Sequence, residues 1–184
     1  MGVMAVFMIA QVGEPFMVLH AHLSFGLREA DAPIIFLLFN ATYSASSFPV
    51  GILSDRMSRY HLLALGFIVL IIADLTLAMA ANLTTVFIGI AIWGFQMGIH
   101  QSMFLALIAD NSPDDLRGTA LSVYYLICGV ALFLANTCGG IVAQVFGSGA
   151  TYLFSFVIAV IALFFLLFIM PKKKNHIKAH KTVA

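Results

Sequence analysis

GILSDRMSR, residues 51–59, sets an aspartate and two arginines within nine positions of a chain that is otherwise overwhelmingly apolar. Of its 184 residues, 62% are hydrophobic and 9% are charged, with a mean hydropathy of +1.05. A soluble domain of this size carries roughly a quarter charged residues, so the chain reads as a membrane protein whose solvent is the lipid bilayer. The charged stretch then reads as the exit of one membrane helix into a polar link. Net charge is +1, and cations cluster only in the last fourteen residues, which excludes nucleic acid as a partner.

Crossing the hydrocarbon takes about 20 mostly apolar helical residues. Six stretches qualify, near residues 3–23, 32–53, 62–81, 84–109, 118–146 and 151–170. An even number of spans puts both termini on one side with the second-to-third and fourth-to-fifth links. That side holds Arg56, Arg59, Arg117, Lys172, Lys173, Lys174, Lys178 and Lys181, while the other holds Arg28 alone. The positive-inside rule makes the termini cytoplasmic, and a miscounted helix would erase the asymmetry. Residues 1–170 thus form one six-helix membrane domain, and residues 171–184, opening on Pro171 and three lysines, a basic cytoplasmic tail beside anionic lipid. The N-terminus, MGVMAVFMIAQVGEP, lacks a signal peptide's basic region and cleavage pattern and reads as the start of the first span. Cys128 and Cys138 sit about 15 Å apart on one helix, beyond disulfide reach. No metal-ligand spacing appears, and no cofactor is implied.

GILSDRMSR resembles the loop signature of the major facilitator superfamily, G-x-L-x-D-R-x-G-R: Gly51, Leu53, Asp55, Arg56 and Arg59 match, and Ser58 replaces the usual glycine. ADNSPDDLRGTALSVYYL, residues 109–126, resembles the family's link between helices ten and eleven, with Pro113, Arg117, Gly118 and Thr119 in place. GEPFMVLHAHLSFGL, residues 13–27, is similar to helix seven, although Gln11 stands where a basic residue is expected, and FNATYSASSFPV, residues 39–50, to helix eight. In GGIVAQVFG, residues 139–147, Gln144 stands where similar members often carry an aspartate. The resemblance covers nearly the whole chain. It implies an all-α polytopic membrane fold of six transmembrane helices in two three-helix repeats, equivalent to helices seven to twelve of a twelve-helix carrier.

The motif's chemistry is intelligible in itself. Glycine lets helices approach closely, and Asp55 can accept charge-assisted hydrogen bonds from arginines or from exposed amides at a helix start. Gly51, Asp55, Arg56 and Arg59, with Asp114, Asp115 and Arg117 of the sister link, are therefore expected to form a cytoplasmic gate that latches one conformation. An ordinary charged loop that only fixes topology is the simpler alternative.

Ionisable groups at membrane depth are costly and usually face a bundle interior or water. Gln11, Glu14, Val18 and His22 share a face of the first span, and Trp93, Gln96 and His100 share a face of the fourth. These are the first helices of the two repeats, which the resemblance implies line a central cavity. Candidate substrate or proton-site residues are Gln11, Glu14, Trp93, Gln96 and His100, with Asn40 and Tyr43 as neighbours. Pro15 supports Glu14, because a proline frees a carbonyl and bends the helix. Purely structural pairing is the alternative for His100 and Glu14. Asp74, in the third span, which the resemblance implies is peripheral, is expected to make a structural hydrogen bond. Ala131, Ala135, Gly139, Ala143 and Gly147 recur at every fourth position of the fifth span, and Asn40, Ser44, Ser47 and Gly51 follow the helical period of the second. Small residues so spaced let helices pack closely. The resemblance implies that these two helices meet the other half of a carrier, and packing within this half is the competing explanation.

The expected function is a half-module of a secondary active transporter, moving a small solute or drug across the inner membrane by alternating access. Its partner would be a second six-helix bundle, either a separate N-terminal half or another copy. If an ion is coupled, a proton on Glu14 is the expected device, since an apolar site disfavours a charged carboxylate. The alternative is a truncated or split-gene remnant that inserts and oligomerises without transport. An enzyme is not expected, because no nucleophile pairing or phosphate loop is present.

Overall fold

In a computed structural model of the chain, the structure describes residues 8, 10, 11, 13–54 and 57–169. Asp55, Arg56 and the basic tail lie outside the described residues. The elements are α1 (Pro15–Phe25), a short 3-10 turn (Glu29–Asp31), α2 (Ala32–Ser54), α3 (Arg59–Ala78), α4 (Leu83–Asn111), a second 3-10 turn (Asp114–Leu116), α5 (Arg117–Phe146) and α6 (Ser148–Ile169). No strand occurs among the described residues. The class expected from sequence, an all-α polytopic membrane protein, is the class observed.

Local chemistry sets the ends. Ser58 caps α3 by accepting from the His61 amide, and Asn82 caps α4 by accepting from the Thr85 amide at 2.9 Å, each satisfying a donor that a helix start leaves open. Gly26, at φ 68°, turns the chain out of α1 in the left-handed region. Among the described residues, five helices, α2 to α6, are long and apolar enough to cross a membrane. The first span is the exception. Instead of one continuous helix it is interrupted at Gln11 and Gly13, and α1 proper begins only at Pro15.

The bundle is built around α3 and α4, half of whose apolar spans are buried, against about a fifth for α2 and α5. The α4 helix packs on α2 and α3, α3 also on α6, and α6 on α5. At the α2–α4 crossing the sequence GFQMG, residues 94–98, supplies the close approach. A Cβ on Gly94 would meet the Phe39 carbonyl at 2.6 Å, and one on Gly98 the Tyr43 carbonyl at 2.9 Å. This is the small-x-x-x-small packing that association in lipid favours.

Candidate functional site

The site begins with a helix that does not continue. Pro15 has no N–H to donate, and Gly13 leaves its own amide outside the helical ladder, so the chain breaks before α1. Two side chains from other helices take up the freed backbone groups. Asn136 Oδ1 of α5 accepts from the Gly13 amide at 2.8 Å, and the Ser155 hydroxyl of α6 donates to the Ala10 carbonyl. Irregular backbone at membrane depth persists only where such partners or water satisfy it.

Beside this break, between α1, α4 and α5, lies a cavity of about 300 Å³. Gln11, Gly13, Glu14 and Pro15 form one wall, Trp93, Met97, His100 and Gln101 of α4 a second, and Tyr124, Cys128, Leu132 and Asn136 of α5 a third. Gln11 Nε2 donates to Met97 Sδ at 3.0 Å. His100 is buried, its Nδ1 lying 2.6 Å from Gln96 Nε2 and its ring edge-on to Phe67 at 5.1 Å. Tyr43 donates to Gln101 Oε1 at 2.9 Å, and Phe39 packs on Trp93 at 5.5 Å. Among the described residues Glu14, half-buried, has no ion-pair partner and is the one carboxylate lining the cavity. An apolar, aromatic chamber with a few convergent polar groups is what small-molecule sites look like.

Of the seven site residues expected from sequence, Gln11, Glu14, Trp93 and His100 line this chamber, while Gln96 and Tyr43 stand one contact behind it. Asn40 does not join them: it is exposed, and its amide turns back onto the Phe36 carbonyl at 2.8 Å, because its face of α2 points out of the bundle. Gln101 and Asn136 belong to the site and were not expected. Gln101 sits two turns after Trp93 on the same face, and Asn136 is an isolated amide in an apolar span, a signal that a search confined to ionisable groups passes over.

The gate residues are placed less closely than the motif suggests. Asp55 and Arg56 lie outside the described residues. Arg59 reaches the sister link, but to Asp110 at 2.5 Å rather than to Asp114 or Asp115. Arg117 pairs within its own turn to Asp114 at 2.9 Å and donates to the Ala109 carbonyl at 3.2 Å. Asp115 is exposed. Gly51 brings no helix close: a Cβ there would meet nothing within 4 Å.

The small-residue stripe divides between burial inside this half and exposure. Ala131, Ala135 and Gly139 are buried inside this half, and Thr151 of α6 donates to the Gly139 carbonyl at 3.3 Å. Ser47 is half-buried and bonded to the Tyr43 carbonyl at 2.9 Å, Ala143 is half-buried, and Gly147 is exposed. What α5 leaves uncovered is its large apolar face, with Leu126, Phe133 and Val145 each about 70% exposed. Asn40, Ser44 and Gly51 of α2 are likewise uncovered.

A helix bundle of this hydropathy, with an apolar chamber at a broken helix, defines the class: a polytopic α-helical membrane protein. The sequence profile of the Major Facilitator Superfamily matches residues 1–183, and the chain belongs to that family. It is 30% identical over 135 residues to an uncharacterized MFS-type transporter, MJ1317, of Methanocaldococcus jannaschii, covering 73% of this chain and 34% of the relative. It is 23% identical over 181 residues to the inner membrane transport protein YajR of Escherichia coli strain K12, covering 96% of this chain and 39% of that one. Among solved structures, the peptide transporter POT in complex with sulfate superposes with a TM-score of 0.71 at 18% identity, over 90% of this chain and 36% of that chain. The chain thus spans little more than a third of the length of the relatives it matches.

Proposed function

We propose that the chain is the C-terminal six-helix half of a secondary transporter, which forms one wall of a chamber for a small solute and exposes that chamber alternately to each side of the membrane. The observation that carries this reading is Glu14 on the wall of an apolar, aromatic chamber, at the break of the first span. A broken helix near mid-membrane is where carriers of this architecture gather substrate and ion contacts. The uncovered faces of α2 and α5 leave room for a second six-helix bundle, either an N-terminal half or another copy. The termini face the cytoplasm of a cell whose inner membrane houses the protein, as the eight-to-one cation asymmetry supports. Motion between the links at the α2–α3 and α4–α5 ends, joined by Arg59 and Asp110, opens and closes the cytoplasmic entrance.

Proton coupling resides on Glu14. The test is reconstitution with the companion bundle in vesicles carrying an internal pH dye, challenged with a panel of small solutes under an imposed pH gradient. Solute-dependent proton movement is expected from the unaltered protein and none from Glu14→Gln, with insertion equal in the two. Equal proton movement in both removes Glu14 from the coupling. A second reading is a truncated or split-gene remnant that inserts without transport. A solitary monomer on native gels, inert in the vesicle assay, would decide for it.

A further inference from the structure

Outside the chamber, where α3 and α6 meet the segment before the break, a second polar group is sealed in the bundle. Asp74 of α3 and Ser155 of α6 are both fully buried, and Asp74 Oδ2 lies 2.6 Å from Ser155 Oγ. The same Ser155 hydroxyl is hydrogen-bonded to the Ala10 carbonyl. A hydroxyl has one proton to give, and a carbonyl can only accept. If Asp74 were a carboxylate, two acceptors would compete for that proton and one would be left bare in a buried site, where an unmade bond is expensive. With the proton on Asp74 Oδ2, both contacts are made: Asp74 donates to Ser155, and Ser155 donates to Ala10.

The surroundings agree. No described cation stands near enough to offset a charge. Arg59 begins α3 fifteen residues earlier, about 22 Å along the helix. On α6 the titratable neighbour is Tyr152, one turn before Ser155 and buried. On α1 it is His20, packed on Tyr152 at 5.3 Å. Both His20 nitrogens are engaged, Nε2 donating to the Leu77 carbonyl at 3.1 Å and Nδ1 lying 2.9 Å from the Ser148 hydroxyl. On α4, His100 meets α3 at Gly66, two turns before Asp74. The Ala10 carbonyl would bond the residue 14 amide in an unbroken helix, so Ser155 holds the chain at the point where it leaves helical form to present Gln11 and Glu14.

We propose that Asp74 is a positioning residue that carries a proton and, through Ser155, clamps the Ala10 carbonyl, fixing the helix break that sets Gln11 and Glu14 in the chamber. Three variants test it: Asp74→Asn, whose amide can still donate to Ser155; Asp74→Ala, which removes that donor but leaves the Ser155 hydroxyl able to donate to Ala10; and Ser155→Ala, which removes the bond to Ala10 outright. Infrared spectra of the full chain in lipid at neutral pH should show an undissociated-carboxyl C=O band that Asp74→Asn lacks. Hydrogen exchange over residues 8–16 should be unchanged in Asp74→Asn, about tenfold faster in Ser155→Ala and intermediate in Asp74→Ala, with no gain beyond Ser155→Ala on combining the two alanine changes. An unaltered infrared band, or exchange in Asp74→Asn as fast as in Ser155→Ala, overturns the proposal. So does faster exchange spread evenly along α3 and α6, which would mark a merely structural bond. Should Asp74→Ala fail to insert, the other two variants decide alone. Neither readout involves transport, so the clamp stands or falls apart from the carrier reading.

Discussion

Two pairs of glycines separate the interior of this bundle from its charged rim. Gly94 and Gly98, at the α2–α4 crossing, have backbone carbonyls of α2 where a Cβ would go. Gly51 and Gly118, in the two charged links that carry part of the family resemblance, have nothing within 4 Å of that position. At these two links, therefore, the glycines that mark the family are not the ones that hold this half together. The interior is fixed by van der Waals closeness and by buried hydrogen bonds between helices, while the rim keeps its small residues and its charges on open surface. There they can serve a surface outside the half.

That contrast is most easily broken by enlarging all four. Gly94→Leu or Gly98→Leu must displace α2 backbone, because a carbonyl cannot rotate aside as a side chain can. Destabilisation of about 3 kcal/mol is expected, at the upper end for overpacking. Gly51→Leu and Gly118→Leu should stay within about 0.5 kcal/mol of the unaltered protein. Thermal unfolding in detergent measures both. A Gly51→Leu loss as large as that of Gly98→Leu would erase the distinction. Unchanged stability with transport abolished in the presence of a companion bundle would sharpen it, by assigning the glycine to a moving contact.

A smaller interior effect is expected at the chamber. Asn136→Ala leaves the Gly13 amide without its acceptor, at a cost of about 1 kcal/mol, so exchange at that amide should quicken roughly fivefold. Asn136→Asp keeps the acceptor and should keep the protection. Equal exchange in all three proteins would mean that the break is held elsewhere, with Ser155 the remaining candidate.

The sequence reveals the helices well and the break poorly, for one reason. Hydropathy counts apolar length, so it places α2 to α6 within about three residues of their observed ends. It is blind to where a span stops being helical, and Gly13 and Pro15 carry that information only as backbone chemistry. The chamber was legible where ionisable or aromatic residues share a helical face, as Trp93 and His100 do. It was not legible for Asn136 or Tyr124, which reach it from a helix remote in sequence. The five-membered small-residue stripe of α5 is more conspicuous than GFQMG, yet it is at Gly94 and Gly98 of GFQMG that a Cβ would meet another helix's backbone within 3 Å. Repetition along a helix does not say which neighbour exploits it.

The smallest effect belongs to the rim's ion pair. Arg59 and Asp110 are 2.5 Å apart, but their side chains remain 30% and 53% exposed. Water and salt therefore screen the attraction, and ordering two side chains offsets part of it, leaving less than about 1 kcal/mol. Arg59→Asp and Asp110→Arg should each lower stability by no more than that, and the loss should fade at high ionic strength, since exposed charges are screened there. The exchanged pair, Arg59→Asp with Asp110→Arg, should recover it. A penalty that persists in high salt would mean the pair is sealed like the interior contacts. A penalty that vanishes fits a contact weak enough to open and close on the timescale of a rocking carrier, which a latch between two links requires.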